Sequence, residues 1–193
     1  EADPYLVANC GDLQSMDVIA GEDTYYELDG NIDCSDTVNW NGGTGFDPID
    51  MSGLANNTGL YINGSGHDII DLYFNNTSDK IGIIGVYTGV DNVYFQASNV
   101  DFENLKLYAG GQQYQGGLVG ELDSTGYAEN ISVTGTLGGL VYGGGVFGQV
   151  SGDSFNITRS SFNGTITNVT VAGGGIVGNF MSTSGIISES EAH

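Results

Sequence analysis

One five-residue pattern recurs along this chain and constrains its fold more than any other feature. Gly-Gly-apolar-apolar-Gly begins at Gly116, Gly144 and Gly174, so its second glycines, Gly117, Gly145 and Gly175, are 28 and 30 residues apart. The pattern closes at Gly120, Gly148 and Gly178, and a degenerate copy spans Ile81–Gly85. A period of roughly 20 to 50 residues predicts a solenoid, a propeller or another array, because one unit cannot bury its apolar face without a neighbour.

The residues between the glycines favour strands over helices. Runs of Val, Ile, Thr, Tyr and Phe are short and end at Gly, Asn, Asp or Ser, without helical periodicity. A short alternating segment follows each copy, namely Val93–Phe95, Asn130–Val133, Asn156–Thr158 and Gly185–Ser188. Propeller blades need about 40 to 45 residues, so three short strands in a shorter unit predict a parallel β-helix. Glycine would then permit close backbone approach at its corners.

The repeats resemble GLUG motifs, which recur in secreted and cell-surface proteins of bacteria and archaea. The resemblance extends to the preceding coils, namely Cys10–Met16, Tyr25–Cys34, Trp40 with Phe46–Ile49, and Gly64–Leu72. It implies a right-handed parallel β-helix on an extracellular or surface protein. It implies no ligand, because such repeats serve as scaffold in unrelated proteins.

The repeat pattern also predicts the organisation of the chain. Residues 1–50 contain both cysteines and the one Trp, and we expect them to form an N-terminal cap and leading coils. Residues 51–193 would continue as β-helix repeats in one continuous domain. We expect the C-terminal coil to be uncapped, which leaves strand edges open. The predicted assembly interface comprises Leu6, Val7, Ala8, Ile186 and Ile187.

Cys10 and Cys34 are the only cysteines in the chain, and two thiols in a secreted protein most simply pair. A redox or metal-binding pair is the alternative. No Cys-x-x-Cys spacing and no neighbouring histidine supports it. The sequence therefore predicts a structural disulfide in the cap.

Charge restricts the partners of the chain. The formal net charge is -21, and only three residues are basic. Such a chain cannot neutralise a run of phosphates, which argues against nucleic acid and anionic membranes. No run of about 18 apolar residues predicts a membrane span. The first residues lack a signal-peptide pattern, and we interpret them as the start of a mature secreted chain. The expected partners are other copies of itself or other surface proteins.

Asn-X-Ser/Thr sequons are frequent and predict covalent N-glycans on an extracellular chain. Unmodified turn asparagines are the alternative interpretation. The predicted sites are Asn56, Asn63, Asn75, Asn76, Asn130, Asn156, Asn163 and Asn168.

Catalytic residues are not predicted. His67 has no second histidine or nucleophile in a recognisable motif, and the acidic pairs Asp68/Asp71, Asp29/Asp33 and Asp47/Asp50 lack the cations that a polysaccharide lyase needs. No cofactor is expected. Calcium is the weak alternative, since Asp33, Asp36, Asp47 and Asp50 could supply oxygen ligands without matching a known calcium loop.

These features together favour a glycosylated extracellular structural protein, a subunit of a surface filament or adhesin that assembles end to end through its open β-helix ends. One alternative is a monomeric adhesin module that binds glycans or calcium through its eleven tyrosines and acidic turns. A polysaccharide-active β-helix enzyme is the third.

Overall fold

The computed structural model is a β-solenoid of about five turns, which confirms the predicted all-β parallel β-helix. It describes residues 3–193, except the side chains at positions 109, 111, 112 and 140. Strands that follow one another along the stack pair in parallel, so each coil lies on the previous one. The pairing forms a 13-stranded sheet and a 5-stranded sheet around one core.

The coils are built almost wholly from strands. The strands are β1 Tyr5–Val7, β2 Asp23–Leu28, β3 Ile32–Asp33, β4 Ile49–Leu54, β5 Gly59–Ile70, β6 Tyr73–Asn76, β7 Lys80–Ile81, β8 Ile84–Gly89, β9 Tyr94–Gln115, β10 Val119–Asp123, β11 Thr125–Gly144, β12 Phe147–Ser151, β13 Phe155–Thr158, β14 Ser161–Thr167, β15 Ala172–Gly174, β16 Val177–Phe180, β17 Ile187–Ser188 and β18 Glu191–Ala192. Helix α1 spans Cys10–Gln14, and 3₁₀ turns lie within Ser35–Gly43.

The glycine repeats stack as predicted. In the 5-stranded sheet, Ile84 of β8 pairs with Val119 of β10, Val119 with Phe147 of β12, and Phe147 with Val177 of β16. Backbone hydrogen bonds join Gly117 to Gly145 and Gly145 to Gly175. β4 adds a fifth strand to this sheet, although its sequence lacks the glycine pattern.

The alternating segments that follow the glycine copies do not all occupy the same register in the stack. Asn156 pairs with Tyr127 and Ile157 with Ala128, not with Asn130 and Ile131. Ile187 in turn pairs with Ile157. Asn130 lies at a bend with left-handed backbone conformation, and the equivalent bends of the next two coils are formed by Arg159 and Glu189. The bend therefore recurs at the same position of each coil. The Asn-Ile sequence lies at the bend in one coil and three residues before it in the next.

The core runs along the axis of the stack. Its largest fully buried side chains include phenylalanines from successive coils, and Phe95 contacts Phe155, which in turn contacts Phe147. Inward and outward side chains alternate along each strand, as the pleat requires. The uninterrupted core makes each coil depend on its neighbours for burial.

The N-terminal segment contains the predicted disulfide. Cys10 and Cys34 are bonded, with their Cα atoms 5.6 Å apart. Asn9 caps α1, since its side-chain oxygen accepts hydrogen bonds from the backbone N–H groups of Gly11 and Asp12. Leu13 then points into the core. The disulfide thus ties α1 to the segment that follows β3.

Candidate functional surfaces

Exposed apolar side chains are concentrated in the first and last parts of the stack. Among the described side chains, eleven large apolar ones are exposed, of which four belong to residues 5–38 and five to residues 169–187. Val90 and Tyr108 lie between the two groups. The members of the groups are Tyr5, Leu6, Ile19 and Val38, and Val169, Val171, Met181, Ile186 and Ile187.

Four of the five predicted interface side chains are on the surface. Leu6 is 57% and Ile186 60% exposed, and Ala8 and Ile187 are also exposed. Val7 is 1% exposed, because alternation along β1 turns it into the core. The side chain of Val7 is therefore part of the core and cannot contact a partner. β1 and β17 lie at the two ends of the main strand order of the 13-stranded sheet, and each pairs on one side only in the described part of the chain.

The sequon asparagines divide into two groups by exposure. Asn56, Asn75, Asn130, Asn163 and Asn168 are exposed.

The other three sequon asparagines are half-buried, and their side-chain oxygens accept hydrogen bonds from the backbone. The donor to Asn63 is the N–H of Ser65, at 3.0 Å. The donors to Asn76 and Asn156 are the N–H groups of Ser78 and Ile186, at 2.9 and 3.1 Å. These three side chains have a structural role in bends or between coils.

A short asparagine ladder crosses three coils. The Asn130 amide donates to the side-chain oxygen of Asn99 at 3.0 Å, and the Asn99 amide donates to that of Asn63 at 3.4 Å. Asn99 and Asn130 both have positive φ angles, a conformation that asparagine tolerates better than most residues. The ladder therefore stabilises the bend that repeats along the stack.

Each basic side chain forms an ion pair with an acidic residue of an adjacent coil. Lys80 Nζ lies 3.2 Å from Glu121, and Lys106 Nζ lies 3.8 Å from Asp71. Arg159 pairs with Glu129 on one side, and its Nη1 lies 3.8 Å from Glu189 on the other. All three Lys and Arg side chains of the described residues are therefore paired with carboxylates.

The acidic residues do not form a recognisable metal centre. Within residues 3–193, no three Asp, Glu, His or Cys side chains come together in a group that could hold a metal ion. Asp68 lies opposite Asp101 in the next coil and receives a hydrogen bond from the Asn31 amide. Burial raises the pKa of Asp101, and the charge of Asp68 raises it further.

Among the described residues, no helix has the length and apolar character that a membrane-spanning helix requires.

Tyrosines from three coils form a strip on the outer face of the 13-stranded sheet. The rings of Tyr25 and Tyr61 are stacked at 4.5 Å, and Tyr94 lies 5.4 Å from Tyr61. We name Tyr25, Tyr61 and Tyr94 the tyrosine strip. Burial, followed by the negative charge of Asp23, raises the pKa of Tyr61 to about 12, so its hydroxyl is neutral at physiological pH.

A cleft of about 460 Å³ lies beside the tyrosine strip. It is lined by two rings of the strip, by the polar side chains of Glu27, Asn63 and Gln96, and by Pro4, Tyr26 and Ile62; the two rings are those of Tyr25 and Tyr61. Sequence reasoning counted the tyrosines without finding this arrangement. The signal was available in principle, since Tyr25, Tyr61 and Gln96 occupy one register position in successive coils.

Comparison with known proteins gives one relationship. The chain is 30% identical to a halomucin of Haloquadratum walsbyi over 209 aligned residues, which cover 93% of this chain. The same alignment covers 2% of the halomucin, so the chain spans a very small part of that protein's length. No protein-family profile matches the chain, and no solved structure matches it. The chain is thus a disulfide-linked β-solenoid that is similar in sequence to one short stretch of a halomucin.

Proposed function

We propose that this chain is a glycosylated, non-enzymatic structural segment of a cell-surface or secreted protein, and that it assembles end to end through the outer coils of its stack. The similarity to a halomucin over nearly the whole chain supports the location. The stacked glycine repeats are the basis for our proposal that the chain is related to GLUG-motif surface proteins.

The distribution of exposed apolar side chains carries the proposal of end-to-end assembly. Among the described side chains, nine of the eleven belong to the first or last part of the stack, and two, Val90 and Tyr108, lie between them. β1 and β17 also leave sheet edges that a further parallel strand could extend. Contact between two different ends does not close on itself, so it would propagate into a filament.

We expect acidic substitutions at the last coil to prevent assembly. Ile186→Asp combined with Ile187→Asp would place two carboxylates where an apolar contact forms, on side chains that are already exposed. Negative-stain electron microscopy and light scattering of the concentrated protein would show rods of multiple length for the parent and single units for the variant.

Val90→Asp is the matched control, because Val90 is 62% exposed and lies between the two ends. It should assemble like the parent. A parent chain that stays monomeric at high concentration would contradict the proposal and would favour cover of the last coil by further chain of a longer protein. Equal loss of assembly in the control would exclude the ends as the contact.

We expect N-glycans at the five exposed sequons and none on the half-buried Asn76 and Asn156. A glycan on Asn56, Asn75, Asn130, Asn163 or Asn168 would project into solvent. Glycopeptide mass spectrometry of protein from its native source would measure occupancy at each site. Modification confined to Asn76 and Asn156, or no modification anywhere, would contradict this expectation.

A further inference from the structure

We propose that the cleft beside the tyrosine strip binds a neutral, hydroxyl-rich glycan. The cleft combines an aromatic wall with amide and carboxylate groups. A sugar presents two kinds of surface, and the aromatic wall can pack against its C–H faces while the polar groups can hydrogen-bond its hydroxyls. The inference rests on the outer faces of β2, β5 and β9, whereas the assembly proposal rests on the exposed apolar side chains and sheet edges of the outer coils.

The rings of the aromatic wall pack against one another. Tyr25 and Tyr61 stack with their ring planes 14° apart, and Tyr94 supports Tyr61 from the next coil. Their orientation is further held by Asp23, whose carboxylate accepts a hydrogen bond of 3.4 Å from the Tyr25 hydroxyl. Rigid tyrosines provide contact area at low cost in conformational entropy.

The polar side chains of the cleft retain hydrogen-bonding capacity. Within residues 3–193, the Gln96 side chain makes no hydrogen bond, and Nδ2 of Asn63 donates none. Glu27 is oriented by the Ser65 hydroxyl, which donates to its Oε1 at 2.6 Å and leaves Oε2 without a protein donor. A sugar hydroxyl can both donate and accept, so one hydroxyl pair could satisfy an amide and the carboxylate together.

Charge and size favour a neutral glycan over other ligands. Asp23 and Glu27 border the cleft or its tyrosines in a chain of net charge -21, which would repel phosphates and acidic sugars. A cavity of about 460 Å³ suits a small ligand, whereas a stable protein partner needs roughly 800 Å² of surface on each side. The described residues also lack a metal-binding group here.

Titration of the unglycosylated protein with neutral hexasaccharides of glucose, galactose, mannose and xylose would test the proposal. We expect saturable binding to at least one of them in saturation-transfer NMR and calorimetry. Tyr61→Ala and Gln96→Ala should each weaken that binding at least about tenfold, whereas Tyr61→Phe, which keeps the ring, should lose less. Gln96→Ala is decisive if Tyr61→Ala does not fold, because Gln96 makes no hydrogen bond in the described structure.

Tyr108→Ala is the matched control, because Tyr108 is an exposed tyrosine that pairs with Tyr73 outside the cleft. It should bind like the parent. Absence of saturable binding to every hexasaccharide at millimolar concentration would overturn the proposal, and so would equal weakening by Tyr108→Ala.

The glycan could belong to another molecule or to this chain, because Asn63 is both a sequon residue and part of the cleft. Glycopeptide analysis of the native protein separates the two sources. An unmodified Asn63 together with hexasaccharide binding identifies a glycan of another molecule. A modified Asn63 whose deglycosylation opens the cleft to the hexasaccharides identifies the chain's own glycan as the occupant.

Discussion

Gly148→Ala is expected to abolish folding or to lower the free energy of unfolding by at least about 3 kcal/mol. Gly148 is buried in β12, and a Cβ atom there would collide with the backbone nitrogen of Gln115 and the carbonyl oxygen of Gly120. Both obstacles are backbone atoms of packed strands, so no side-chain rotation can relieve the collision. Because β12 lies between β10 and β16, the displaced coil would also lose its pairing on both sides.

Gly138→Ala provides the control within β11. The nearest atoms to its added Cβ would be side-chain atoms, Thr167 Oγ1 at 3.1 Å and Tyr108 Cδ1 at 3.7 Å, which can move. We expect this variant to unfold within about 1 kcal/mol of the parent in a denaturant titration followed by circular dichroism. Similar midpoints for Gly148→Ala and Gly138→Ala would show that close backbone approach at Gly148 does not limit stability.

Removal of the disulfide by Cys10→Ala with Cys34→Ala should lower stability by about 3.5 kcal/mol, on the chain-entropy estimate for a loop of this length. The bonded residues are 24 positions apart, and both side chains are buried, so alanine avoids placing a new polar group in the core. For a protein of this size the loss corresponds to a decrease in Tm of roughly 10 °C.

Thermal unfolding with and without reductant measures this effect. The parent should melt lower in reductant, and the double alanine variant should melt near the reduced parent and respond little to reductant. An unchanged Tm for the reduced parent would mean that the cap is held by packing of Leu13 and its neighbours rather than by the covalent link.

The stacking of the glycine repeats could be predicted because it depends on local chemistry. A glycine that meets a neighbouring backbone must recur once in each coil, so its spacing reports the coil length directly. The disulfide was predictable for a similar reason, since the chain has only two cysteines to pair. The sequence did not show which side of β1 is buried. Val7 was therefore predicted to belong to the assembly interface, although its side chain lies in the core.

The lateral face could not be predicted to the same degree. Coils differ in length along the stack. Tyr25 pairs with Tyr61, 36 residues later, and Tyr61 pairs with Gln96, 35 residues later, whereas Tyr127 pairs with Asn156, only 29 residues later. Similar local sequence therefore does not give the register, since Asn130 and Asn156 share an Asn-Ile sequence but occupy different positions in their coils. The tyrosine strip and its cleft depend on this register, and a shift of even one residue would turn the side chains to the other face.

The sequence by itself determined that this chain forms stacked parallel coils with a disulfide-linked N-terminal segment, because glycine spacing, strand-forming residues and two cysteines act through short-range constraints. Only the tertiary structure decided which side chains meet across coils, including the three tyrosines, the asparagine ladder and the ion pairs of the basic residues. These contacts join residues 30 to 41 positions apart, and backbone hydrogen bonding between whole coils sets their register.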